Sequence, residues 1–223
     1  MRRDSGQAAP LYVVAVAGLL FVALLFFTFG EADIRRSGAQ SAADAAALAA
    51  AKESRSLFEP DLLAHLEDPD FFDSVFNASF PNGPGNECGK ASEFAELNDA
   101  TDVRCRPLSD GRWGYQVSLR SAEGMSTDLV PGTKGKKASA VAVAVIEPRC
   151  AFVADPDSSE EPEPDPDGGA TTEEPDPDPE PEAPTAPIGT VRCEGGAEWG
   201  VGLGGRDLMP DMADLFSVRL AED

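Results

Sequence analysis

The 223-residue sequence contains a single histidine, His65, and no Cys-x-x-Cys pair. One histidine rules out any Ser-His-Asp or Cys-His arrangement that does not pass through His65 itself, and cysteines without further histidines make a poor zinc site. No pair of carboxylates stands out from the general acidity as an acid and base. No catalytic, cofactor-binding or metal-ligating residue is therefore assigned, and no small-molecule substrate is evident. Positive charge is scarce as well: 18 Lys and Arg face 40 Asp and Glu, for a net charge of −22. Nucleic acid is a poor partner for such a chain, because binding it depends on cations that neutralise phosphates.

Charge of either sign is missing altogether from Ala8 to Gly30. At 1.5 Å per residue this run of about 23 residues crosses a hydrocarbon core of about 30 Å, and it reads as one transmembrane helix. Pro10 falls in the first turn, where the amide it lacks has no helical partner. A cleaved secretory signal is the competing reading, with Arg2 and Arg3 as its basic region, but signal cores run to about 7–15 residues. The small-x-small site after the run, Gly30-Glu31-Ala32, also carries an acid at its centre. An uncleaved anchor fits better.

The positive-inside count is nearly balanced, since Arg2 and Arg3 precede the run and Arg35 and Arg36 follow it. Cysteines decide the orientation. Cys88, Cys105, Cys150 and Cys193 all lie beyond the anchor, and four cysteines outside the cytosol usually form two disulfides. Residues 1–7 are thus expected in the cytoplasm and everything after Gly30 outside.

Between Glu31 and Ala51 only Gly38 interrupts a stretch of high helix propensity. The anchor is expected to continue as one rod through residues 31–57, on the order of 70 Å from its start. Alanine supplies propensity but little apolar area. The face formed by Ala39, Ala43, Ala46 and Ala50, with Asp44 among them, therefore reads as a surface for close helix packing and as poorly suited to an ordinary core. A plain juxtamembrane stalk is the simpler alternative.

Gly6-Gln7-Ala8-Ala9-Pro10-Leu11, the apolar run, and Gly38-Ala39-Gln40-Ser41-Ala42-Ala43-Asp44-Ala45-Ala46-Ala47-Leu48-Ala49-Ala50-Ala51 together resemble the N-terminal segment of TadE/TadG-like proteins of the tight-adherence (Flp) pilus-assembly system. The resemblance covers about the first 50 residues. It implies a non-enzymatic, single-pass protein of the bacterial cell membrane, a minor pilin-like or assembly subunit that meets other pilus-assembly or membrane proteins through its N-terminal helix. Prepilin-type processing after Gly6 would place Leu11 at the fifth mature position, where glutamate is preferred, so residues Arg2 to Gly6 are expected to remain attached. A membrane-tethered envelope binding or sensing protein with no pilus role is the alternative function.

Asp155 to Pro187 holds 13 Asp or Glu, 10 Pro and no Lys or Arg. Lacking apolar residues to offset the entropy of ordering, residues 155–187 are expected to be a disordered, solvated insertion. Within it, Glu163 to Glu174 imitates a calcium loop. Its first ligand is Glu, its prolines stiffen the loop, and proline-rich flanks stand where helices should be, so chance in an acidic run explains it better.

Residues 58–154 and 188–223 are expected to form the folded domain. Leu57 to Leu66 reads as a short helix, Phe71 to Phe76 follows the break at Asp68-Pro69-Asp70, and Asn82 to Asn86 is a loop. Strands are expected at Asp102–Pro107, Trp113–Arg120, Lys137–Ile146, Gly189–Cys193 and Leu215–Leu220. Four cysteines allow three pairings, among which the sequence does not choose. A Cys150–Cys193 bridge would close the acidic insertion at its base and leave Cys88–Cys105 as a local pair. Gly200 to Gly205 fits Gly-x-Gly-x-x-Gly but has no βαβ unit around it, and Asn77-Ala78-Ser79 is a sequon of a kind frequent by chance. The expected fold class is α+β: a single N-terminal transmembrane helix extended as a long Ala-rich helix, then a small antiparallel β-rich extracytoplasmic domain carrying the acidic Pro-rich insertion.

Overall fold

A computed structural model of the chain describes residues 8–78, 87–126, 131–156 and 186–221. Most of the acidic insertion, the calcium-loop lookalike, the loop at Asn82 to Asn86 and the N-terminal tail with Gly6 lie outside the described residues. The first helix, α1, is continuous over Ala8–Leu57, 50 residues, or about 75 Å. Its first half is an apolar cylinder and its second half the axis of the domain.

Three short helices follow before the first strand. Helix α2 spans Glu59–Ala64 and starts with Pro60 in its first turn. Helix α3, Pro69–Phe76, is capped by Asp68, whose carboxylate accepts the Phe71 amide at 3.0 Å, and it buries Phe72, Val75 and Phe76. Helix α4, Cys88–Leu97, buries Ala91 and Ala95, one turn apart, on the face it turns to α1.

Among the described residues seven strands form two antiparallel sheets, where the sequence suggests one. Strands β1 (Ala100–Pro107), β2 (Gly114–Ser121), β3 (Ser139–Pro148) and β7 (Phe216–Leu220) make a four-stranded sheet in the order β1-β2-β3-β7. Strands β4 (Cys150–Ala154), β5 (Gly189–Cys193) and β6 (Glu198–Val201) make a second, three-stranded sheet. The chain passes between them at Arg149, whose amide bonds the Leu215 carbonyl and whose carbonyl accepts the Glu194 amide. Helix α4 and strands β4 and β6 are not apparent in the sequence. In α4 only two small residues are buried, and in β6 a glycine dilutes the strand pattern of Glu198-Trp199-Gly200-Val201.

The four-stranded sheet packs on the alanine half of α1, with Tyr115, Val117 and Leu119 of β2 and Ala140, Ala142, Ala144 and Ile146 of β3 facing inward. Alternation in β3 places alanine toward the helix and valine away from it, with Val141 exposed. Alanine meets alanine there, which lets the two backbones approach closely. Phe58, Phe72, Phe76, Trp113, Phe152, Trp199 and Phe216 form a chain of ring contacts that joins the end of α1, α3 and both sheets. Aromatic area closes the core at the end where alanine no longer lines it.

Cys88 and Cys105 lie at disulfide distance and join α4 to β1; Cys150 and Cys193 do the same across β4 and β5, where they stand opposite each other in register. The acidic run leaves from the far end of that hairpin, past Ala154 and Gly189.

Candidate functional site

Two stretches of α1 define the site. In the apolar stretch Leu11, Phe21, Phe26 and Phe27 are 74, 62, 73 and 81% exposed, so no part of the domain folds back to cover them. This helix is long and apolar enough to cross a membrane.

In the second stretch Ala39, Ala42, Ala43, Ala46, Ala47, Ala50 and Ala51 are all buried within the chain's own domain. Ala39, Ala43, Ala46 and Ala50 are therefore occupied by the chain's own four-stranded sheet and α4, a use of the alanine face that differs from packing against helices of other proteins. The physical reason is that small side chains admit a flat sheet as readily as another helix, and β3 supplies small residues in return. Asp44 is half-buried and accepts the Gln40 side-chain amide at 2.9 Å, while the same Gln40 nitrogen reaches the Val141 carbonyl of β3 at 3.2 Å. Asp44 thus orients the residue that ties helix to strand. Nothing in the sequence signals the part played by Gln40.

At the far end of α1 a buried polar group replaces alanine. Trp113 Nε1 donates to Ser54 Oγ at 2.9 Å, and the Tyr115 hydroxyl bonds both Ser54 Oγ, at 3.2 Å, and Glu87 Oε2. Burial first, and then the hydrogen bond to Glu87, push the Tyr115 phenol well above its ordinary value of 10.0. It remains a neutral donor. Next to it, Arg55 Nη1 donates to the Phe216 carbonyl at 3.1 Å, which fixes β7 to the helix. These contacts bridge 28 to 161 positions in sequence, beyond the reach of any local pattern.

Where the apolar run ends, the loop between β2 and β3 is tied to the helix twice. Glu31 Oε1 accepts both the amide and the hydroxyl of Ser126 at 2.8 Å, and Arg35 Nη1 pairs with Glu123 Oε2 at 2.8 Å.

The remaining sequence candidates are accounted for by structure. His65 stacks on Phe71 with ring centres 4.1 Å apart, and its Nδ1 lies 2.8 Å from the Asp61 carbonyl. Among the described residues no cluster of three or more His, Cys, Asp or Glu could hold a metal ion. Gly200 to Gly205 runs from β6 into a 3-10 turn at Leu203–Leu208, with Trp199 Nε1 bonded to the Gly205 carbonyl. It is a chain reversal with no phosphate-binding context. The Asn77 side chain is held by Asp73 and by both backbone groups of Phe152, joining the end of α3 to β4.

No characterised protein and no solved structure matches the chain. One comparison does give a relation, and it falls on the helix described above: residues 6–53 match the family Tad, described as "Putative Flp pilus-assembly TadE/G-like".

Proposed function

We propose that the protein is a non-enzymatic, single-pass membrane component of a Tad/Flp-type pilus or secretion apparatus, acting as a minor pilin-like or assembly subunit. The observation that carries this reading is the coincidence of the matched segment, residues 6–53, with a helix whose apolar half is bare and whose alanine half is the axis of the domain. Residues 1–7 are the cytoplasmic tail, 8–30 the span and 31–57 its rigid extension. Residues 58–154 and 188–223 form the extracytoplasmic domain, with 155–187 as its acidic insertion. Two cysteine pairs at disulfide distance support an oxidising, extracytoplasmic location for that domain.

Since the alanine face is filled by the chain's own sheet and α4, contacts with other assembly subunits fall to the apolar half of α1. Exchanging residues 8–30 for an unrelated Leu/Ala span tests this. Piliation of the host should be lost while the domain still folds and the protein still reaches the membrane. If the exchanged chain restores piliation to a deletion strain, the span is a mere tether and this reading fails.

A further inference from the structure

We infer that the described arms of the connection between β2 and β3, residues 122–126 and 131–137, dock on the anionic phospholipid headgroups of the bilayer that α1 crosses; this rests on reading residues 8–30 as the span. Gly30 ends the apolar run, and the two ties that hold the connection to the helix come directly after it, at Glu31 to Ser126 and at Arg35 to Glu123. Along the helix axis they stand about 1.5 and 7.5 Å beyond Gly30. A headgroup layer is about 5–8 Å thick on each side of the hydrocarbon. The connection is thus pinned within that layer.

Past the regular ladder the two arms remain paired, with the Met125 amide bonding the Lys136 carbonyl at 3.0 Å and the Gly135 amide bonding the Met125 carbonyl at 2.9 Å. Lys136 therefore stands level with Met125, one residue from the Glu31 tie. Lys134, Lys136 and Lys137, three of the chain's five lysines, are all exposed on this arm, and Arg36 is exposed on the adjoining helical turn. Within residues 31–36 and 121–138 five cations, Arg35, Arg36, Lys134, Lys136 and Lys137, stand against four carboxylates, Glu31, Asp33, Glu123 and Asp128, in a chain whose net charge is −22. Glu31 and Glu123 already accept donors from the protein. This layer is a local cationic balance in an acidic chain, and the strongly acidic insertion leaves from the β4–β5 hairpin, not from this connection.

The test is amide hydrogen exchange on the full chain in nanodiscs of phosphatidylcholine alone, or with about a third phosphatidylglycerol. Each lysine near such a surface contributes enough attraction that exchange at Met125, Ser126 and 133–137 should slow at least about fivefold in the anionic discs. Salt at about 0.5 M should abolish the difference by screening, as should the triple variant Lys134→Gln/Lys136→Gln/Lys137→Gln. The control Arg104→Gln/Arg120→Gln, on the outer face of the four-stranded sheet, should leave it intact. Equal exchange in both discs, with residues 11–27 protected in each, overturns the lipid contact and leaves the span standing. Exchange of residues 11–27 as fast as in an unfolded chain overturns both.

Discussion

Ala46 is fully buried on the face of α1 that packs on α4 and the four-stranded sheet, so Ala46→Leu asks whether that face belongs to the chain's own core or to a partner. The substitution adds three carbons on a face whose buried surroundings are themselves small, with Ala91 and Ala95 of α4 and Ala142 and Ala144 of β3 among them. Overpacking of a tight core costs about 1–3 kcal/mol, which for a domain of this size is a fall in Tm of roughly 2–12 °C. The assay is thermal unfolding of the purified chain in detergent, followed by near-UV circular dichroism of the buried Trp113 and Trp199. Ser41→Leu, on the exposed face of the same helix, is the matched control and should change stability by less than about 0.5 kcal/mol. If Ala46→Leu melts with the wild type, or Ser41→Leu loses as much, the alanine face is not what anchors the sheet. A partner-facing alanine stripe predicts the opposite pattern, with unchanged melting of the isolated chain and loss only of association.

Two further outcomes are expected. Replacing both Cys150 and Cys193 by serine should lower stability by about 4 kcal/mol in the chain-entropy account, given a sequence separation of 43; nonreducing peptide mapping that finds Cys88 joined to Cys150 would refute the pairing itself. Tyr115 has its phenol pKa raised in the folded state, so its contribution is complete below the unfolded value of 10.0 and is lost as pH climbs toward the higher folded value. Stability should therefore decline above about pH 10, and Tyr115→Phe should flatten that decline; an ultraviolet titration in which the tyrosine of the folded domain ionises at its ordinary value would contradict the burial.

What could be read in the sequence follows the range of each physical signal. Helix α1 is legible because absence of charge and high propensity act over neighbouring residues, and the strands at Gly189–Cys193 and within Lys137–Ile146 are legible because alternation is local. The partner of the alanine face is not legible, since small residues permit close approach without specifying what approaches. The contacts that decide the matter, Gln40 to Val141, Ser54 to Trp113 and Glu31 to Ser126, join residues 101, 59 and 95 positions apart. Strand β6 fails for a different reason. Four residues that include Gly200 are too few for alternation to register, and only pairing along Gly189 to Arg192 of β5 brings them into a sheet.

A single unbroken helix carries both the exposed apolar stretch and the domain's core, and this limits how the two can move. There is no proline between Glu31 and Leu57, and Gly38 is followed at once by the buried alanine face. Kinks in helices arise at proline, at glycine-serine pairs or where a side chain enters the ladder. Ser37-Gly38 is the only such pair in the extension, and it is bracketed by the Arg35–Glu123 ion pair on one side and the buried Ala39 on the other. Any tilt imposed on residues 8–30 by neighbouring helices is therefore passed to the sheet as a rigid rotation. The orientation of the domain thus follows that of residues 8–30, a property that suits the proposed role as a subunit whose neighbours are arranged by contacts inside the membrane.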